Sequence, residues 1–298
     1  MPTLLSKPIN AVHAEQKRFD DFSSFKTFTR ATHQHWATEL QRALRLIAMN
    51  GIIDPISGSR IPATALKVHG HNYRETLEHD GLVARQRAVL ICLQELLADG
   101  SLPPQEQLEI FCPEAVTAFA QRVRTHFPHA ICTEFLPYPS NPMRDLVPHQ
   151  DLCALTLAEA SVDLVLCNEL FEHLYDLPSA LSEIHRILRP GGWLISTCPL
   201  AYDSYESIIK ARHRDGATPG VAAEAELLTE PEFHGDPVAP EQGCLVYQIP
   251  GWELLDQARA AGLTDVHFLW LAAPSYGVIG REIPAVILMI GRRRTPAL

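Results

Sequence analysis

The sequence predicts an α/β fold: a mostly parallel sheet wrapped by helices, with a helical segment ahead of it. Two observations carry that expectation. From about residue 107, short apolar runs (LEIFC, AICTEFL, VDLVLCN, WLISTCP) alternate with segments of helical periodicity, and such alternation joins parallel strands through crossover helices. The last two apolar runs, VHFLWLAA and AVILMIG, are joined by a loop containing Ser275, Tyr276 and Gly277 with no helix between them, which predicts an antiparallel hairpin at the sheet edge.

Along the chain, residues 11–50 place Phe19, Phe22 and Phe25, then Trp36, Leu40, Leu44 and Ile47, at helical spacing among polar residues, which predicts two amphipathic helices. Residues 51–75 are rich in Gly, Pro and Ser and predict at most a short hairpin. A helix is expected over about 82–99, through Arg85, Arg87, Val89, Leu90, Leu93 and Leu96. The expected organisation is therefore a helical cap over 1–104 and a second domain over 105–298. Two roles stand for the cap, packing against the main domain or closing over its active site. In the second domain, helices are expected over about 115–127, 178–189 and 251–261. The middle one carries its apolar stripe on Leu181, Ile184, Ile187 and Leu188, and Pro190-Gly191-Gly192 is read as its stop.

Composition narrows the function. With 298 residues, 46% hydrophobic and 20% charged, the chain can bury a full core. A net charge of −10 excludes a partner that is a bare phosphate backbone, so no nucleic acid is expected. Arg292-Arg293-Arg294 follows the last apolar run and reads as a solvated tail. No apolar stretch reaches the roughly 18 to 20 residues of a membrane helix, and residues 1–20 lack the apolar core of a signal peptide. A soluble cytoplasmic protein without a membrane partner is the expectation. Seven cysteines stand far apart, with no CxxC and no Cys/His pair at zinc-ligand spacing, so buried thiols and no metal are expected. Oligomeric state stays open; the helical cap could serve as the surface of a homodimer.

The sharpest signal is ASVDLVLCNELFEHLYDLPSALSEIHRILRPGGWLISTCP. It resembles the class I S-adenosylmethionine (SAM) dependent methyltransferases, in which an S-x-D-L-V-x-x-N/D-x-x-x-E-H stretch is followed by A-L-x-E-x-x-R-x-L-x-P-G-G. The resemblance covers about 105–292 and implies a Rossmann-like sheet with SAM as cofactor. It makes LEIFC the first strand, CPEAVTAFA the cofactor turn and helix, and AICTEF the second strand. Relatives place glycines at that turn and an acid at the end of the second strand for the ribose hydroxyls; this chain keeps the acid as Glu134 and lacks the glycines. SAM has no phosphate, so the loss is tolerable. Glu114 is then a candidate partner of the methionyl ammonium, or an ordinary acid ahead of a helix. Asp151 matches the acid near the adenine amino group, with Leu152 beside it, or is a turn-forming Asp. Asn168, at the carboxyl end of its strand, should meet the methionyl part, with Glu169 and His173 on the following loop. His173 has two readings, a general base or a structural residue.

Around the sulfonium the sequence places rings and weakly polar groups: Phe135, Tyr138, Asn141, Tyr175, Tyr202, Ser204 and Tyr205. The glycine-poor turn, the helical cap and Phe135, Asn141, Tyr175 and Ser204 resemble the azetidine-2-carboxylate synthases, SAM lyases of secondary metabolism built on the methyltransferase fold. That resemblance implies that the α-amine of SAM attacks its own γ-carbon and expels methylthioadenosine. Methyl transfer to an O, N or C atom of a small-molecule acceptor is the alternative, and a non-enzyme subunit of this fold that only binds or regulates, for which the missing glycines are the one argument, a third.

Overall fold

The computed structural model describes residues 14–295. The chain divides into two compact units, one running to Gln105 and including His267–Met289, the other comprising Glu106–Val266 and the residues from Ile290.

In the first unit, strand β1 (Glu15–Phe19) precedes a single 29-residue helix, α1 (Phe22–Asn50). The two helices expected over 11–50 are therefore a strand and one long helix. Asp21 sets the boundary: it is extended, and its carboxylate accepts the Ser24 N–H at 2.8 Å as an N-cap. Phe19 and its neighbours are drawn into the strand and pair with the later run 268–272. The helix ends at Gly51, whose φ of 68° places it where a Cβ would lie 2.0 Å from the Ile61 carbonyl oxygen. Phe25, Trp36, Ala43 and Ile47 are its buried stripe, and Trp270 packs edge-on against Phe28 at 5.1 Å. Helix α2 (Ala84–Ala98) carries the buried Arg87, which donates to the carbonyls of Leu77, Leu82, Tyr276 and Gly277 at 2.8–2.9 Å.

The second unit begins with β2 (Ile110–Cys112), α3 (Ala118–His126) and β3 (Ala130–Cys132). It continues through β4 (Val162–Asn168), α4 (Leu177–Ile187), β5 (Leu188–Thr197) and α5 (Glu253–Ala260). Two long strands close the chain, β6 (Leu263–Ala272) and β7 (Val286–Arg293). Every residue of β4 is buried, as a continuous apolar run in a parallel sheet requires. The strand order is β1-β6-β7-β5-β4-β2-β3, with β2 parallel to β3 and β4, and β4 parallel to β5. This is the Rossmann-like α/β sheet the sequence predicts. The antiparallel edge strand is β1, paired with β6, so the C-terminal hairpin is interior to the sheet. Helix α4 stops at Ile187, and Pro190-Gly191-Gly192 lies inside β5.

The chain leaves β2 for β3 on one side and then crosses to β4 on the other. The carboxyl ends of β2 and β4 therefore flank the switch point where open α/β sheets bind ligands. Between β5 and α5 runs an excursion, residues 198–252, held by two-residue ribbons: Ile208–Ile209 with Gln248–Ile249, Ala211–Arg212 with Glu226–Leu227, and Phe233–His234 with Cys244–Leu245. The sequence reading did not anticipate it.

Candidate active site

The turn after β2 folds without glycine because side chains do the work that backbone freedom does elsewhere. Glu134, just beyond β3, accepts the Ala115 and Val116 N–H groups on one oxygen at 2.7 and 3.1 Å. Burial raises its pKa, and those two donors oppose the rise. Glu114 is buried; it accepts the Thr117 hydroxyl, and its other oxygen takes the Asn168 amide N–H at 2.7 Å. Asn168 Oδ1 is buried with no hydrogen-bond partner. The neighbouring Glu169 adopts a φ of 49° and bonds back to Thr197 through its N–H.

A cavity opens beside this turn. Phe111 and Pro113 form its base, with Thr133 and Phe135 from the end of β3 and Gln150, Asp151 and Leu152 from the loop beyond. Leu170, His173, Leu174 and Tyr175 follow from the segment after β4, and the excursion covers them with Gly220, Cys244, Leu245 and Tyr247. The Tyr175 hydroxyl donates to Asp151 at 2.6 Å, and burial, reinforced by that carboxylate, raises its pKa, so it stays protonated. Gly220 has a φ of 70°, and a Cβ there would lie 2.5 Å from the Phe135 ring. Only glycine lets the excursion lie on that ring. His149 packs against Phe135 at 5.8 Å and accepts the Leu136 N–H on Nδ1, which requires a neutral ring; burial lowers its pKa accordingly.

Of the residues singled out from sequence, Phe135, Asp151, Leu152, His173 and Tyr175 thus share one cavity wall, while Glu114, Glu134, Asn168 and Glu169 stand at the adjoining strand ends. Asn141 and Ser204 do not line the cavity: Asn141 caps a short turn by accepting the Met143 N–H, and the Ser204 hydroxyl donates to the Glu206 carbonyl. Tyr247, Cys244, Leu245 and Gly220 went unnoticed because a two-residue ribbon, which holds Cys244 and Leu245, and the loops beside such ribbons, which hold Tyr247 and Gly220, leave no hydrophobic period to read.

Behind the wall lies a second constellation. Glu172 is fully buried, with neither oxygen hydrogen-bonded, and Oε1 is 3.6 Å from His173 Nε2 and 3.7 Å from His234 Nδ1. Burial raises the Glu172 pKa and lowers that of His173, while the facing Glu172 raises that of His234.

Residues 115–196 match the family described as Methyltransferase domain. The matched segment is under a third of the chain, and it is this segment that is similar to the methyltransferases. A 50-residue stretch is 48% identical to a probable S-adenosylmethionine-dependent methyltransferase of Mycolicibacterium smegmatis; it covers 16% of this chain and only 20% of that relative. Among solved structures, a SAM-dependent methyltransferase from Mesorhizobium loti aligns at 15% identity, covering 65% of this chain and 95% of that one, with a TM-score of 0.41. The 1,6-didemethyltoxoflavin-N1-methyltransferase of Burkholderia thailandensis, solved with S-adenosylhomocysteine, aligns at 17% identity over 70% of this chain and 89% of that one, with a TM-score of 0.34.

SAM is the cofactor that the similarity over residues 115–196 implies, and the residues at the turn fit it. The unpartnered Asn168 Oδ1 and the buried Glu114 carboxylate offer acceptors to an ammonium. Glu134 spends one oxygen on the turn, and its other oxygen accepts neither of those N–H groups. Among the described residues no helix is long and apolar enough to cross a membrane.

Proposed function

We propose that the protein cyclises SAM to azetidine-2-carboxylic acid and releases methylthioadenosine. The observation that carries the reading is the cavity wall: the rings of Phe111, Phe135, Tyr175 and Tyr247 surround it, with leucines between them. Rings facing a sulfonium attract it and exclude water, each worth roughly 0.5 to 2 kcal/mol.

In the reaction the neutral α-amine attacks the γ-carbon. The N–Cγ bond forms, the Cγ–S bond breaks with its electron pair left on sulfur, and the ring nitrogen keeps its two hydrogens as an ammonium. The chemistry asks for a folded conformer held in a water-poor box, with the amine close behind Cγ. Glu114 and Asn168 would hold the amino-acid end, Glu134 the ribose and Asp151 the adenine side, while Phe135 and Tyr175 enclose the sulfonium. Asn141 and Ser204 keep their proposed part only if the loops bearing them close on the substrate. The bound α-ammonium must first give up one proton, for which the Glu114 carboxylate beside it would be the acceptor, while the tyrosine hydroxyl, fixed on Asp151, takes no part.

The test is incubation with SAM alone, followed by mass spectrometry against a boiled control. Methylthioadenosine with an equimolar cyclic four-carbon amino acid is the expected result. Bound but unchanged SAM would remove the reading and leave methyl transfer to a small-molecule acceptor.

A further inference from the structure

The Glu172, His173 and His234 cluster is arranged as a set of electron-pair donors with nothing between them. His173 Nδ1 lies 2.8 Å from the Leu245 carbonyl oxygen, so that nitrogen carries the hydrogen and Nε2 presents its lone pair to Glu172. His234 Nε2 lies 3.1 Å from Glu232, whose other oxygen is held by Lys210, so Nδ1 likewise faces Glu172. The Glu172 backbone is fixed by the Tyr247 N–H at 2.8 Å. A fully buried carboxylate with two unpaired oxygens is costly, and an imidazole 3.6 or 3.7 Å away is too far to relieve it by a hydrogen bond.

We propose that Glu172, His173 and His234 bind one divalent transition-metal ion of the zinc class. The ligand atoms all lie within 4.8 Å of one another. Tetrahedral zinc with nitrogen and oxygen ligands at about 2.0–2.1 Å needs ligand separations of about 3.3 Å, so closing on an ion shortens the two Glu172 contacts by a few tenths of an ångström and the separation of the two imidazole nitrogens, within 4.8 Å, by up to about 1.5 Å. Both rings already have their far nitrogens anchored, His173 on a carbonyl and His234 on a carboxylate, the outer-shell pattern that orients metal-binding imidazoles. Three protein ligands leave a fourth position, and His173 forms part of the cavity wall. The ion would tie the excursion, through His234, to the segment after β4. This inference is independent of which reaction SAM undergoes.

The test is zinc titration of chelator-treated, dialysed protein by calorimetry, with metal content by mass spectrometry after a wash that strips surface histidines. Wild type should hold close to one equivalent of Zn2+. His234→Asn, at a partly exposed position, and Glu172→Gln should each lose it while keeping a wild-type circular dichroism spectrum. Glu232→Gln should retain the site with affinity lowered about 10- to 100-fold. Substitution with Co2+ gives an independent readout, the d–d bands of a low-coordinate ion, absent in Glu172→Gln. Wild type without a stoichiometric ion, or binding unchanged in both folded ligand variants, would overturn the proposal.

Discussion

Replacing Tyr175 separates two things an aromatic wall can do. Its ring lines the cavity and packs against the buried cluster of Ala211, Ala225, Leu245 and Tyr247, and its hydroxyl is tethered to Asp151 at 2.6 Å. The attraction between ring and sulfonium is present before and during the reaction, so its loss in Tyr175→Ala should weaken SAM binding by about 2- to 30-fold, the equivalent of 0.5 to 2 kcal/mol. The ring also keeps the bound chain folded, and a misplacement of about 1 Å can cost about 100-fold in rate. We therefore expect kcat for methylthioadenosine release to fall about 100-fold, beyond the loss in binding. Tyr175→Phe keeps the ring and removes only the tether; its dissociation constant should stay within about threefold of wild type. Calorimetry gives the binding term and chromatographic release of methylthioadenosine the rate. Equal losses in both, or a Phe variant as impaired as the Ala variant, would refute the positioning role of the ring.

Gly220→Ala places a methyl group 2.5 Å from the Phe135 ring at a left-handed φ, a conformation worth about 1–2 kcal/mol against a non-glycine residue. SAM affinity should fall through displacement of that ring, with a melting temperature lowered by only about 2–8 °C. Arg87→Met removes the guanidinium donor from four carbonyls, of which that of Leu82 keeps the His79 N–H, and a loss of at least about 3 kcal/mol is expected, read as a drop of roughly 6–12 °C in thermal unfolding. His149 is held neutral in the fold, so its contribution is fully present above its ordinary value near 6.5 and is lost as pH falls through its lowered folded value. SAM binding should decline on the acid side of pH 6.5, and His149→Asn, which retains an acceptor for the Leu136 N–H, should flatten that limb.

Strands whose burial is continuous were legible in the sequence, and those fixed by their partners were not. VDLVLCN becomes β4 residue for residue because an apolar run of that length has no other stable use. Phe19, Phe22 and Phe25 misled because phenylalanines three apart satisfy a helical period even where an Asp cap begins the helix after the first of them. The site divides the same way. Glu134 and Asn168 could be placed from the strand ends they follow or close and Asp151 and Tyr175 only through the resemblance, whereas His234 sits on a ribbon, and Tyr247 and Gly220 in the loops between ribbons, whose pairing depends on the completed fold. A spacing pattern could not have shown the Glu172, His173 and His234 cluster either, since the second histidine comes from a different segment.

The glycine-free turn selects its ligand by what it withholds. In a phosphate-binding turn, successive backbone N–H groups point at the anion. Here Ala115 and Val116 give theirs to Glu134, and the adjacent Glu114 adds a second buried carboxylate joined to Asn168. An incoming phosphate would meet two acids and no free donors from those two residues. A ligand carrying an ammonium and hydroxyls meets acceptors on both. Exchanging Glu134 for Gln should therefore do more than weaken ribose binding: it places a neutral amide against two N–H groups that had a charged partner, loosening the turn as well. The expected signature is a lower affinity for SAM together with a comparable loss for methylthioadenosine, which shares the ribose but lacks the amino-acid end. Glu114→Gln should weaken SAM while sparing methylthioadenosine, and a variant pair with identical losses for both ligands would show that the two carboxylates do not divide the ligand between them.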